Sequence, residues 1–172
     1  MIRLRDRDGI SARALEFCIL TAARTSEVIG ARWDEVDLKA KTWTIPGERM
    51  KSGREHRIPL SRRAVELFRS LPREKDDYGF LFIGAKEGKP LSNMAMLELV
   101  RGMSGGKGIT VHGFRGAFRD WAAETTAHPN EVVEMALAHA IGDKTEAAYR
   151  RGDLFEKRRA LMEDFASYLA PG

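Results

Sequence analysis

Residues 111–124, VHGFRGAFRDWAAE, set a histidine and two arginines, His112, Arg115 and Arg119, at positions i, i+3 and i+7. An arginine fork matches the oxygens of a phosphate or carboxylate in two parallel hydrogen bonds, and histidine exchanges a proton near neutral pH. On one stripe of a helix these types suit either a site for something negative or a solvated edge. Other residues able to share such a site lie far away in the chain: Arg24 in TAARTSEV, Lys51 in RMKSGRE, His139 in ALAHAIGD and Tyr149 in AAYRR. Each alone has an ordinary reading. Arg24 at a helix junction caps carbonyls or stays in water, and Glu27 pairs with it or simply favours a helix start. Lys51 on a turn is solvated, His139 ends an apolar helix, and Tyr149 packs its ring and leaves its hydroxyl in water.

The elements that carry these residues are mostly helical. In the 111–124 stretch Phe114, Ala117, Phe118, Trp121 and Ala122 recur at helical spacing and predict a buried face, with the three basic residues along its edge. Residues 11–22 predict a helix with Leu15, Cys18, Ile19 and Ala22 on one stripe and Ser11 as N-cap, followed by a short helix from Ser26 to about Arg32. KTWTI at 41–45 and HRIPL at 56–60 are β-favouring runs and predict a small antiparallel sheet, with Lys51, Ser52 and Gly53 at or near its turn. Helices follow at about 61–71 and 92–103. Pro129 suits the first turn of a helix bearing Val132, Val133, Ala136 and Leu137. A short helix holds Tyr149 and ends at Gly152, and Asp153 to Glu156 has capping-box spacing for a last helix with Leu154, Arg158, Leu161, Phe165 and Tyr168. The class is mainly α with a small antiparallel β-sheet (α+β).

Composition bounds the rest. The 172 residues suit one domain, and 43% hydrophobic with 31% charged residues is a globular balance. No apolar run reaches the roughly 18 residues of a membrane span. The start, MIRLRDRDGI, lacks the apolar stretch of a signal peptide, and one cysteine, Cys18, forms no internal disulfide. A cytoplasmic protein follows. The net charge of +4 is a mild basic excess, concentrated at 49–63 (Arg49, Lys51, Arg54, Arg57, Arg62 and Arg63 against Glu55) and at 144–159. Such clusters are solvated faces by default, and phosphate contact is the strongest reason for concentrating them beside a strand turn. His56, His112, His128 and His139 lack an HExxH pattern and cysteine partners, so a zinc site is not expected. No phosphate-loop lysine motif and no GxGxxG after a strand is present.

Taken together, the ordered pieces TAARTSEVIGARWDEVDL, RMKSGREHRIPLS, HGFR and LAHAIGDKTEAAYRRGD resemble the catalytic domain of the tyrosine recombinases, the phage-integrase family, and look particularly like integrases of prophages and genomic islands. The resemblance runs from about residue 10 to 169. It departs from the common pattern at Gly116, within the HGFR helix, and at Ala138, where glycine is frequent before the histidine. By resemblance the chain carries the tyrosine recombinase catalytic-domain fold and cleaves and rejoins DNA without a metal. Tyr149 is then the nucleophile, joined to the DNA 3′ phosphate. Arg24 and Arg115 clamp the non-bridging oxygens, His139 adds a hydrogen bond, His112 acts as general acid–base, and Lys51 protonates the departing 5′ oxygen. Arg49, Arg54, Arg57, Arg119 and Arg150 are the further DNA contacts that this reading implies.

The partners implied are double-stranded DNA attachment sites and further copies of the chain in a homotetramer on DNA, with no cofactor, membrane or small-molecule substrate. Residues 1–172 read as a single catalytic domain without the family's N-terminal DNA-binding domains, and the helix at 153–170 docks on its own domain or on a neighbour. Two other readings share parts of this evidence. A type IB topoisomerase would relax supercoils with the same tyrosine chemistry, and a prophage relic would bind DNA without cutting it.

Overall fold

Helix α2 (Ile10–Thr21) is buried across its whole width, from Ala12 through Leu15, Phe17 and Leu20 to Thr21. A helix covered on nearly every side belongs in the middle of a fold, and here α1 (Ile2–Arg5), α3 (Thr25–Ile29), α4 (Arg62–Ser70), α5 (Ala95–Ser104) and the last helix, α8 (Phe155–Tyr168), all pack on it. The computed structural model describes residues 1–72, 79–86, 88–106, 108–139 and 152–170. Ser11 does not cap α2; the helix begins one residue earlier, after Gly9. The Phe17 ring joins three other elements. Its centroid lies 5.0 Å from Trp43 of the sheet, 5.1 Å from Phe68 of α4 and 5.6 Å from Phe82. These are separations at which aromatic pairs add to plain area burial.

The sheet is antiparallel with strand order β1 (Val36–Asp37), β2 (Thr42–Ile45), β3 (His56–Pro59). The two longer strands are those expected from sequence, and β1 is too short to leave a pattern. Register pairs Trp43 with Ile58, Thr44 with Arg57 and Ile45 with His56. Alternation therefore puts His56 on the same inward face as Ile58, beside the buried Trp43 and Ile45, while Arg57 faces outward. Between the strands a single 3-10 turn (Gly47–Arg49) leads into the exposed stretch 51–55 that carries Lys51.

A second wall is formed by α6 (Gly113–Thr125), α7 (Asn130–Ala136) and α8. Phe165 of α8 packs edge-on against Phe118 at 4.8 Å and meets Trp121 at 4.9 Å. The buried face of α6 differs from the expected one. Phe118, Trp121 and Ala122 are buried, Phe114 is partly covered, Ala117 is exposed, and Arg115 joins the buried set. Pro129 is the N-cap of α7 rather than part of its first turn.

At α8 the expected Asp153 cap is replaced. Leu154 turns the chain at a left-handed φ of 51°, and the Asp153 carboxylate instead accepts from Arg158 Nη2 at 2.7 Å. Arg158, itself buried, also donates from Nη1 to the Arg57 carbonyl at 2.5 Å, tying α8 to the edge of the sheet. Within the chain α8 packs on β3, α7, α2 and α4.

Candidate active site

The site is built where two helices end. Helix α2 stops at Ala22, a non-glycine residue at φ 48°, whose carbonyl has left the helical ladder. Helix α7 stops at Leu137, followed by Ala138 at φ 50°. Arg115 reaches from α6 between these ends. Its Nη1 donates to the Ala22 carbonyl and its Nη2 to the Leu137 carbonyl at 2.7 Å. Last-turn carbonyls are the groups that a helix leaves unpaired, and they sit at the negative end of the helix dipole. They hold the guanidinium without neutralising it. Among the described residues no carboxylate pairs with Arg115. Burial first, and then the nearby Arg24 charge, pull this guanidinium below its usual range, with the Glu27 carboxylate opposing.

Arg24, partly exposed just before α3, is held by Glu27. Glu27 Oε1 accepts from Arg24 Nη1 and Oε2 from the Arg24 backbone N–H, both at 2.8 Å. Sequence left pairing and helix-start support as alternatives for Glu27; the buried carboxylate does both. His139 completes the group, with Nε2 3.4 Å from Arg115 Nη2. Arg115 and His139 thus meet from two separate segments, and the Arg24 charge from a third acts on Arg115. His112 ends one turn before Arg115 and is exposed, with its carbonyl accepting the Arg115 N–H at 3.0 Å. Lys51 is exposed on its turn. Tyr149 and Arg150 lie outside the described residues.

The expected DNA contacts separate into two kinds. Arg54 is exposed, and Arg57 is largely so, stacked 4.2 Å over the Phe155 ring. Arg49 is engaged within the chain and only partly exposed. It pairs with Glu35 and donates to the Glu27 carbonyl at 2.6 Å. Its fork lies against Gly30, where an added Cβ would stand 2.9 Å from Nη2. Arg49 therefore fastens the base of the Lys51 turn to the residue that holds Arg24. Arg119 is exposed, but its Nε sits 2.8 Å from Glu134 Oε1.

Residues 5–154 match the model of the phage integrase family. The chain belongs to that family. It is 35% identical to prophage integrase IntZ of Escherichia coli K12 over 153 residues, covering 89% of this chain and 38% of that one. It is 31% identical to the integrase of Enterobacteria phage P4, covering 91% of this chain and 39% of that one. The chain thus spans about two fifths of the length of these curated relatives. Its fold is that of the integrase from mycobacterium phage Brujita, with a TM-score of 0.73 at 20% identity over 99% of this chain and 57% of that one. The Tn1549 transposon integrase, solved in complex with a circular intermediate DNA, aligns with a TM-score of 0.53 at 16% identity over 89% of this chain and 58% of that one. These integrases favour neither the topoisomerase nor the relic reading.

Sequence reasoning left out two residues that border the group around Arg115. His56 faces Arg158, Glu27 and Arg24 from β3, and burial first, then the Arg158 charge, drop its ring to about 4. It is a neutral imidazole at neutral pH. Alternation along HRIPL could have shown that His56 shares the inward face of Ile58. The other is Glu134, which no local pattern marks. Among the described residues no helix is long and apolar enough to cross a membrane.

Proposed function

We propose that this chain is the catalytic part of a site-specific DNA recombinase that integrates or excises a mobile element. The observation that carries this reading is a buried guanidinium, Arg115, with His139 beside it and the Arg24 charge acting on it, that has carbonyl partners but no carboxylate partner among the described residues. Such a group gains most from an anion, and a tetrahedral phosphate offers oxygens for both forks.

The chemistry balances without a metal. The Tyr149 oxygen attacks phosphorus, the Oη–P bond forms, and the P–O5′ bond breaks. His112 takes the tyrosine proton, and Lys51 gives a proton to the leaving 5′ oxygen. Arg24 and Arg115 bear the negative charge that grows on the non-bridging oxygens, a contribution of two to three orders of magnitude in rate, roughly 3–4 kcal/mol, for each donor. His139 adds a hydrogen bond to the same oxygens. The phosphotyrosine bond keeps the phosphodiester energy, so a second strand's 5′ hydroxyl reseals it. Double-stranded attachment sites and a homotetramer on DNA are the partners this implies.

The test is covalent capture. A nicked duplex carrying the attachment site, read from the ends of the element that bears this gene, is incubated with the chain and run on a denaturing gel. Wild type should give a protein–DNA adduct that EDTA does not diminish, and Tyr149→Phe should give none with its DNA affinity kept. An adduct with the phenylalanine variant would remove Tyr149 from the nucleophile's role.

A further inference from the structure

Glu134 grips His139 at two places. Its carbonyl accepts the His139 backbone N–H at 3.0 Å, while Ala138 N–H reaches the Met135 carbonyl at 3.1 Å. These two bonds are the 6→1 and 5→2 pair of a Schellman ending, with Ala138 in the left-handed position usually filled by glycine. The side chain of Glu134 then turns onto the ring that this backbone presents. Oε2 lies 2.7 Å from His139 Nδ1, and Oε1 lies 2.8 Å from Arg119 Nε. Across the ring, Nε2 faces Arg115.

We propose that Glu134 is the positioning residue for His139, fixing both the direction of the ring and which nitrogen carries the proton. An ionised carboxylate only accepts, so Nδ1 must be the donor. The imidazole cannot rotate without losing that bond, and Nε2 is left aimed at the space beside Arg115. To donate to a phosphate oxygen there it carries a second proton, so the acting form is the imidazolium held between Glu134 and the phosphate. Carboxylate–imidazole pairs orient metal-bound histidines in the same way, and loss of such a partner costs about 10–100-fold in function. Arg119 stands beside the second carboxylate oxygen as an ion pair without hydrogen-bond geometry, so the bond to Nδ1 is the one that fixes the ring. The proposal rests on His139 acting in the phosphate site described above.

Two measurements on the whole chain test it. Two-bond proton–nitrogen correlation spectra, assigned by loss of signals in His139→Gln, should show wild-type His139 protonated at Nδ1. Glu134→Ala should move the proton to Nε2, and Glu134→Gln, whose amide oxygen still accepts, should keep it on Nδ1. On the nicked duplex, Glu134→Ala should slow adduct formation about tenfold, and Glu134→Gln should recover to within about threefold of wild type. In the His139→Ala background Glu134→Ala should change the rate by less than about twofold, because its route of action is gone. Full additivity of the two losses, or a wild-type proton on Nε2 alone, would overturn the positioning role. A wild-type rate for His139→Ala would instead overturn the reading of the phosphate site itself.

Discussion

The domain buries charge in two places, and it treats them in opposite ways. Glu16, in the middle of α2, has no exposure and is surrounded by arginines from three segments. Arg5 Nε and Arg63 Nε lie 2.9 and 2.8 Å from its Oε1, and Arg13 reaches Oε2 at 3.4 Å. Burial alone would raise this carboxyl, yet the hydrogen bonds and charges of Arg63 and Arg5 hold it below its ordinary value. The buried carboxylate has its counter-ions in place, and these reach water on their outer sides, so the cluster is closed around it. Arg115 is buried to a similar degree, but its partners are two carbonyls, and its nearest like charge is Arg24. Among the described residues that charge has no carboxylate partner and is electrically open. A closed cluster holds the fold together, and an open one waits for a ligand, so the two should fail differently when broken.

The largest loss of stability is expected at the closed cluster. Glu16→Ala leaves Arg5, Arg13 and Arg63 facing a cavity, and removal of one partner from a buried pair costs about 3–5 kcal/mol. Urea unfolding should show it, with any loss of adduct formation tracking the unfolded fraction. Arg115→Met should do the reverse. The unbranched side chain fills much of the same space and removes a buried charge, but it strands the Ala22 and Leu137 carbonyls, so stability should fall by about 1–3 kcal/mol. Adduct formation should fall by roughly 10²–10³. If Arg115→Met unfolded the domain as severely as Glu16→Ala, the distinction between open and closed clusters would collapse.

His56 sharpens the comparison through pH. Its folded value, about 4, lies below the ordinary 6.5 because burial and then Arg158 disfavour the imidazolium, with Arg24 adding to this and Glu27 and the Ala136 carbonyl opposing it. The unfolded chain therefore binds the proton more readily. This contribution to stability is complete above pH 6.5 and is lost as pH falls toward 4, to an extent of about 3 kcal/mol at most. His56→Gln should flatten the stability profile in that window, and an unchanged slope would assign the loss to other groups.

The smallest effect is expected at Ala138. A left-handed conformation costs a non-glycine residue about 1–2 kcal/mol, partly offset by the greater freedom of glycine in the unfolded chain. Ala138→Gly should raise stability by about 0.5–1 kcal/mol, a shift of roughly 1–4 °C in Tm. A lower Tm would mean that the alanine methyl packs more usefully than its backbone is strained.

What could be read from the sequence was what repeats or acts over one or two turns. The two long strands follow from β-favouring runs. The motif order from Arg24 to His139 was also legible, because it needs only residue type and position. The fate of individual charges was not. Arg115 sat beside the apolar stripe of α6 by periodicity, yet it is buried, because carbonyls 93 and 22 residues away are free to receive it. Asp153 had the spacing of a cap, but Arg158 took its carboxylate. Glu134 carried no signal of its role, and alternation marks His56 only as inward-facing; the ions around His56 come from other segments. Helix and strand patterns report which side of an element is covered. Only the packed chain determines which charges meet there, because a buried charge takes its energy from every dipole and ion around it, however distant in sequence.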